Sequence, residues 1–292
     1  MTSTDVYENY RAAGRISREA LEIGADAIKE GVRYREIVER VEHHIHESGA
    51  SLAFPVNIAV NNVAAHFTPS VHDDLAFKRG DVVKLDVGAH VDGYIGDNAK
   101  TVEVGTTRHA KLMEAAEQAL GAAIRTVRAG VTVGEIGRVI EDQIRKYGFE
   151  PIRNLQGHSL EQYRLHAGLS IPNFHTKNNT KLKSGQVIAI EPFVTDGEGY
   201  VTDAGLSNIY RVAKKSVMTR QLYNAFRNLP FAESWMYRLY GEETYRKLSF
   251  LMKRRMITPY FKLVEVKGGM VAQAEHTVYV TDDGCEILTL TE

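Results

Sequence analysis

Ile37, Val41 and Ile45 recur every four positions among charged neighbours, the spacing of a helix with one buried face. The pattern returns later in the chain. Residues 28–49 read IKEGVRYREIVERVEHHIHESG, and residues 127–148 read VRAGVTVGEIGRVIEDQIRKYG. At an offset of 99, Gly31, Val32, Glu36, Ile37, Glu42, Ile45 and Gly49 meet Gly130, Val131, Glu135, Ile136, Glu141, Ile144 and Gly148. Each copy predicts a helix, a break at Gly, a second helix and a Gly stop. The period then changes. KRGDVVKLD (78–86) and KSGQVIAIE (183–191), offset by 105, are Lys/Gly turns running into β-branched strands. One copy ends in Asp86 and the other in Glu191. A weaker third match sets DNAKTVEVG (97–105) beside EHTVYVTDDG (275–284), pairing Asp97 with Glu275.

A helix–helix–strand unit that occurs twice predicts an α+β, pseudo-two-fold fold. Two largely antiparallel sheets should meet at the axis, with helices covering one side. The segment 197–268 has no counterpart in the first half. It is Gly-bounded and rich in helical pattern, so it reads as a small helical insertion. The duplicated domain then comprises 1–196 and 269–292. Between Arg220 and Lys262 the insertion carries nine Lys/Arg and three Asp/Glu. The ordinary reading is a solvated basic face. The functional one is a docking surface for ribosomal RNA.

Composition narrows the setting. The 292 residues are 43% hydrophobic and 25% charged, enough for a sizeable core. The net charge is −1, which gives no global attraction for nucleic acid or an anionic membrane. The single cysteine, Cys285, permits no intrachain disulfide and fits a reducing compartment. The N-terminus carries Asp5, Glu8, Arg11 and Arg15, so no signal-peptide core is present, and no apolar run approaches the ~20 residues of a membrane span. A cytoplasmic protein with no membrane contact is expected.

The candidate chemistry lies where the repeat places acids. Asp92-Gly93 is a strong hairpin signal. A two-residue turn there sets Val91 opposite Tyr94, Gly88 opposite Asp97 and Asp86 opposite Ala99. Asp86 and Asp97 then share one face as diagonal neighbours, roughly 7–8 Å apart at the backbone. Pseudo-symmetry should bring Glu191 and Glu275 to the same axis. Four carboxylates at one point repel one another, and cations are the natural remedy. Two divalent ions about 3.5–4 Å apart could be bridged by two of the acids and capped by the others. His158, in NLQGHSLEQY, breaks the symmetry and could add a nitrogen ligand. Mostly oxygen ligation with one imidazole suits Mn, Fe, Co or Zn better than a structural thiolate zinc site. Taken singly, each residue also has an ordinary reading: a strand-end Asp as a turn residue, a Glu in an ion pair, a loop His as a hydrogen-bonder.

The segments GDVVKLDVG, GYIGDNA, GHSLEQYRLHAG, VIAIEPF and AQAEHTV resemble the methionine aminopeptidases, from about residue 5 to the C-terminus. The resemblance implies the duplicated pita-bread fold. The insertion before Glu275 looks like the helical subdomain of the type 2 class, and the absence of a long N-terminal extension looks like the archaeal form. By this resemblance Asp97 and Glu275 bridge two metals, Asp86 chelates one, and His158 and Glu191 bind the other. Two further histidines of the family match His66 in NNVAAHFTP and His166 in RLHAG. They stand 100 residues apart, one step off the helix-pair offset, so the repeat makes them pseudo-equivalent. Phe54, Pro55, Asn57, Leu165 and Phe193 are implied walls for a methionine side chain, although each is equally suited to an ordinary core.

The implied activity is removal of the initiator methionine from nascent polypeptide N-termini when the second residue is small. Two divalent ions acidify a bound water toward neutrality. Glu191 would shuttle the proton, His166 would stabilise the oxyanion or hold the scissile amide, and His66 would contact the peptide or leaving group. Rival expectations are an Xaa-Pro peptidase of the same fold and a catalytically inert binding protein. A monomer is expected. Three other features are weaker: the His43, His44 and His46 cluster on an amphipathic helix, the spacing-poor Gly197, Gly199 and Gly205, and Cys285. Two positions depart from the family pattern, Ala274 before Glu275 and Asn98 after Asp97.

Overall fold

The computed structural model describes residues 3–290, so 1–2 and 291–292 of the expected duplicated domain lie outside the described residues. The first half runs α1 (Ser3–Ala27), α2 (Tyr34–Glu47), β1 (Asn57–Val60), β2 (Val63–Ala65), β3 (Val82–Val91) and β4 (Tyr94–Glu103). The second runs α3 (Ala110–Thr126), α4 (Val133–Lys146), β5 (Gln156–Ser159) and β6 (Val187–Ile190). There follow β7 (Val201–Val212), α5 (Arg220–Phe226), α6 (Glu233–Tyr240), α7 (Glu243–Lys253), β8 (Ile257–Glu265), β9 (Val271–Gln273) and β10 (His276–Val280).

The repeat is visible in backbone detail. Gly31 and Gly130 take φ of 82° and 87°, and Gly49 and Gly148 take 78° and 82°, left-handed values that glycine reaches without strain. At the start of α4, Thr132 and Glu135 cap each other reciprocally, and at the start of α2 Glu36 reaches back to the Arg33 amide. Ile37, Val41 and Ile45 are fully buried, as are Ile136, Ile140 and Ile144. Each set anchors the core of its own half.

The hairpin register follows from its turn. Asp92 and Gly93 take φ of 50° and 83°, the double-positive turn that matches strand twist. Val91 pairs with Tyr94, Gly88 with Asp97 and Asp86 with Ala99. The halves join where β4 meets the β9–β10 segment. Thr277 Oγ1 accepts from Asp97 N at 2.9 Å and donates to Asp97 O at 2.7 Å. Glu275 N donates to Ala99 O at 3.0 Å, and Thr101 Oγ1 donates to Gln273 O at 2.6 Å. The pairs 97–277, 99–275 and 101–273 form one antiparallel register. A two-fold between them exchanges Asp97 with Glu275, which is how the duplication brings these acids together.

The segment expected to be a helical insertion is helical only in its middle. It is entered by β7 and left by β8, which pair from Val201↔Glu265 to Val212↔Ile257. β8 pairs further with β2, through Leu263↔Ala65. Residues 202–206 of β7 are exposed, so backbone pairing holds this strand without the apolar alternation that would mark it in sequence. The helices bury Leu222, Trp235, Met236, Leu248 and Leu251 in the core of the first half. Glu42 of α2 accepts from Trp235 Nε1 at 2.5 Å and Arg238 Nη1 at 2.9 Å.

One buried acid closes the neck of this segment. Glu265, 2% exposed, accepts from the amides of Glu198 (2.6 Å), Lys267 (2.8 Å) and Gly269 (2.8 Å). A Cβ on Gly197 would stand 2.4 Å from its carboxyl carbon, so this approach requires glycine. Burial opposes ionisation here, but the amides outweigh it and hold the carboxyl below its usual pKa. A depressed folded pKa contributes stability that is present above the unfolded pKa and lost as pH falls through the folded one. Glu265→Gln should therefore cost about 2 kcal/mol at pH 7. Urea unfolding should show the gap closing as pH falls below the ordinary glutamate range. A gap that widens with acid would contradict this account.

Candidate metal centre

Five donors arrive from five places in the chain. Asp86 lies in β3, Asp97 in β4 and His158 in β5; Glu191 follows β6 and Glu275 precedes β10. His158 pairs with Ala189 across β5–β6, and Ile190 pairs with His276 across β6–β10, so the sheet sets all three second-half donors side by side. Ligand atoms of Asp97, His158 and Glu275 lie within 4.8 Å of one another. His158 Nε2 is 3.7 Å from Asp97 Oδ2 and 3.6 Å from Glu191 Oε1. Gln273 Nε2 donates to Glu275 Oε2 at 3.1 Å.

All twelve residues singled out from sequence line one cavity of about 310 Å³. Besides the five donors these are His66, His166, Phe54, Pro55, Asn57, Leu165 and Phe193. His66 follows β2 with φ of 61°, and its ring meets the edge of Tyr260 at 5.3 Å. His166 stands nearer solvent, its ring centroid 4.3 Å from that of His158. Phe54 packs against β3, where a Cβ on Gly88 would come 2.1 Å from its ring.

The electrostatics suit a cation. Burial pushes the Asp86 carboxyl up to about 7. Burial first, then mutual repulsion, drives Asp97, Glu191 and Glu275 well above the carboxylate range. Burial also lowers His158 to about 3 and His66 to about 4, so both imidazoles are neutral and available as acceptors at neutral pH. Asp86 Oδ1, Asp97 Oδ1 and His158 Nδ1 are buried without hydrogen-bond partners. Orphaned buried oxygens beside an imidazole fit a hard or borderline divalent ion.

Several cavity walls carried no sequence signal. Ile209, Pro230, Tyr260 and Leu263 come from the inserted segment, and Asn154, Leu155 and Gln156 from the approach to β5. β8 reads ITPYFKLVE, whose mixed burial gives no clean period. The weaker candidates lie elsewhere. His44 of the α2 cluster pairs with Glu19 at 3.3 Å. The half-buried Cys285 thiol sits against Ile124 O and is pushed up to about 11 by burial. Asn98 turns away from the cavity and donates to Ser17 Oγ and Val87 O, tying β4 to α1 and β3. Ala274 packs in the core of the second half.

The sequence pattern of metallopeptidase family M24 matches residues 8–282. The chain belongs to metallopeptidase family M24. A methionine aminopeptidase of Methanothermobacter thermautotrophicus is 45% identical over 97% of this chain and 98% of the relative. The crystal structure of a methionine aminopeptidase from Thermotoga maritima superposes with a TM-score of 0.75 at 24% identity, covering 100% of this chain and 98% of that one. A prolidase from Pyrococcus furiosus gives 0.66 at 22% identity, covering 99% of this chain and 64% of the prolidase. The fold is thus that of the M24 enzymes. As an M24 metallopeptidase the chain is a hydrolase that depends on divalent metal, and Asp97, His158 and Glu275 are the one group among the described residues with donors close enough to hold an ion.

A metal-binding prediction follows from the raised carboxyl pKa values. Ions can enter only as the acids lose protons, so metal uptake near neutrality should release protons and tighten as pH rises. Calorimetric titration of Mn or Co into metal-free protein, in buffers of different ionisation heat, measures this. Uptake without proton release would contradict the burial.

Proposed function

We propose that this M24 metallopeptidase is a methionine aminopeptidase of the type 2, archaeal form, acting as a cytoplasmic monomer on nascent polypeptide N-termini. The near-full-length match to a methionine aminopeptidase at 45% identity carries the reading. The buried donor set supports it. Asp97 and Glu275, exchanged by the pseudo-two-fold, would each serve two ions. Asp86 would complete one coordination sphere, and His158 with Glu191 the other. When bound, the ions supply an acidified water and an anchor for the substrate amine.

The remaining work falls to side chains. A Glu191 carboxylate oxygen takes the water's proton and returns it to the leaving nitrogen. Neutral His166 donates to the carbonyl oxygen as negative charge develops there. His66, held edge-to-face against Tyr260, contacts the amide beyond the scissile bond. Phe54, Pro55, Leu165, Phe193 and the unforeseen Ile209 and Pro230 supply an apolar wall for the methionine side chain, with Asn57 at its edge. The exposed cations Arg220, Arg246, Lys253, Arg254 and Arg255 keep ribosome docking as a secondary proposal.

The reading is tested with tripeptides varied at the first two positions. Met-Ala, Met-Gly and Met-Ser peptides should be cleaved, with norleucine accepted in place of methionine. Met-Lys and Met-Trp should be poor substrates, because Tyr260, Leu263 and His66 crowd the space beyond the bond. Exchanging a methylene-sized feature in the apolar pocket should change rates only by about 10–200-fold. Acetylated peptides should be inert, since the blocked amine has no free lone pair. Preferential cleavage of Xaa-Pro peptides without methionine would move the chain to the prolidase class.

A further inference from the structure

We infer that Arg211 selects substrates. Its guanidinium, at the mouth of the catalytic cavity, pairs with an acidic side chain a few residues beyond the scissile bond. This rests on the aminopeptidase reading and adds a second selectivity to it.

The strand geometry places the residue. Arg211 follows Ile209 by two positions on β7, so the two side chains share a face about 7 Å apart. Ile209 lines the cavity. Across the ladder Arg211 pairs with Thr258, two positions before Tyr260, which also lines the cavity. Arg211 is therefore the next residue outward from both walls. Its charge reaches the groups at the mouth: burial first, and then the Arg211 charge, lower His166, and the same charge opposes the burial that raises Tyr260.

Nothing else occupies this cation. Arg211 is exposed, and among the described residues no ion pair, hydrogen bond or ring contact engages its guanidinium. Some cations of the same segment are engaged, Arg238 with Glu42 at 2.9 Å, Lys267 with Glu198 at 2.8 Å and Lys262 over the Phe67 ring at 5.6 Å; of the unengaged ones, Arg211 is the one that follows a cavity wall on its own strand. A peptide whose amine lies at the metal donors must leave by the mouth. Extended chain advances about 3.4 Å per residue, so residues a few positions beyond the scissile bond pass outward along this wall. The planar guanidinium fork matches a carboxylate in bidentate fashion. A short peptide's own C-terminal carboxylate offers the same chemistry. A nascent chain has no such terminus nearby, so the side chain of Asp or Glu is the source assigned.

The test uses C-terminally amidated Met-Ala peptides with Glu, Gln or Lys placed in turn at positions three, four and five. Wild-type protein should favour Glu over Lys by about fivefold in kcat/KM at one or more of these positions, mainly through KM, with the preference shrinking in high salt. Arg211→Lys should keep part of the preference, Arg211→Gln should abolish it, and Arg211→Glu should reverse it. Equal rates for Glu and Lys peptides in the wild type, or a preference that survives Arg211→Gln, would overturn the inference. A gain seen only for free-acid over amidated peptides would overturn the side-chain assignment. Absence of all cleavage would contradict the aminopeptidase reading and this inference together, whereas cleavage blind to charge removes only the role of Arg211.

Discussion

Asp97→Ala should bind neither ion tightly and should lose methionine release by at least about a thousandfold, some 4 kcal/mol of transition-state stabilisation. Asp97 is 3% exposed, its backbone is locked to Thr277 on both sides, and the pseudo-two-fold exchanges it with Glu275. In the proposed arrangement a carboxylate at the axis would be shared between two ions, so its loss would affect both. Glu275→Ala should behave alike. Removing one of four mutually repelling acids also relieves repulsion, so the metal-free variant should be no less stable than the metal-free wild type. Atomic absorption finding two tightly held ions in Asp97→Ala would sink the bridging assignment.

Glu191→Gln should separate metal binding from proton transfer. The amide keeps the volume and one oxygen acceptor, but it cannot carry a proton between water and leaving nitrogen. Turnover should fall by about 10²–10⁴-fold. At least one ion should remain, held by Asp86, Asp97 and Glu275. The loss should appear in kcat more than in KM, because the proposed shuttle would act on the reacting atoms. Near-normal turnover with metal bound would move the shuttle role to another group, with His166 first in line.

The residues differ in how far they could be read from sequence. Asp86, Asp97, Glu191 and Glu275 were legible because duplication copies a strand end, and a strand end is a local pattern. The Asp92-Gly93 turn fixed the pairing of Asp86 and Asp97 for a similar reason: turn geometry sets register within a few residues. Ile209, Pro230, Tyr260 and Leu263 were not legible. Ile209, Tyr260 and Leu263 reach the cavity through β7 and β8, half-exposed strands held by backbone pairing, so their sequence carries no alternation, and Pro230 comes from the stretch between α5 and α6. Their approach to the donors is a tertiary contact spanning more than a hundred residues from Asp97. The basic, helix-rich composition of 197–268 foretold α5 to α7 but not the strands at either end. β8 also holds His66, through Tyr260, so that residue's environment likewise lay beyond sequence reading.

The most direct measurement is methionine release from Met-Ala-Ser by protein stripped of metal, with Mn, Co, Fe or Zn added back one at a time. The account predicts no activity in the stripped protein and recovery with at least one of these ions at a stoichiometry approaching two per chain. Methionine release that persists at full rate in the stripped protein, or its absence when both sites are filled, would contradict it.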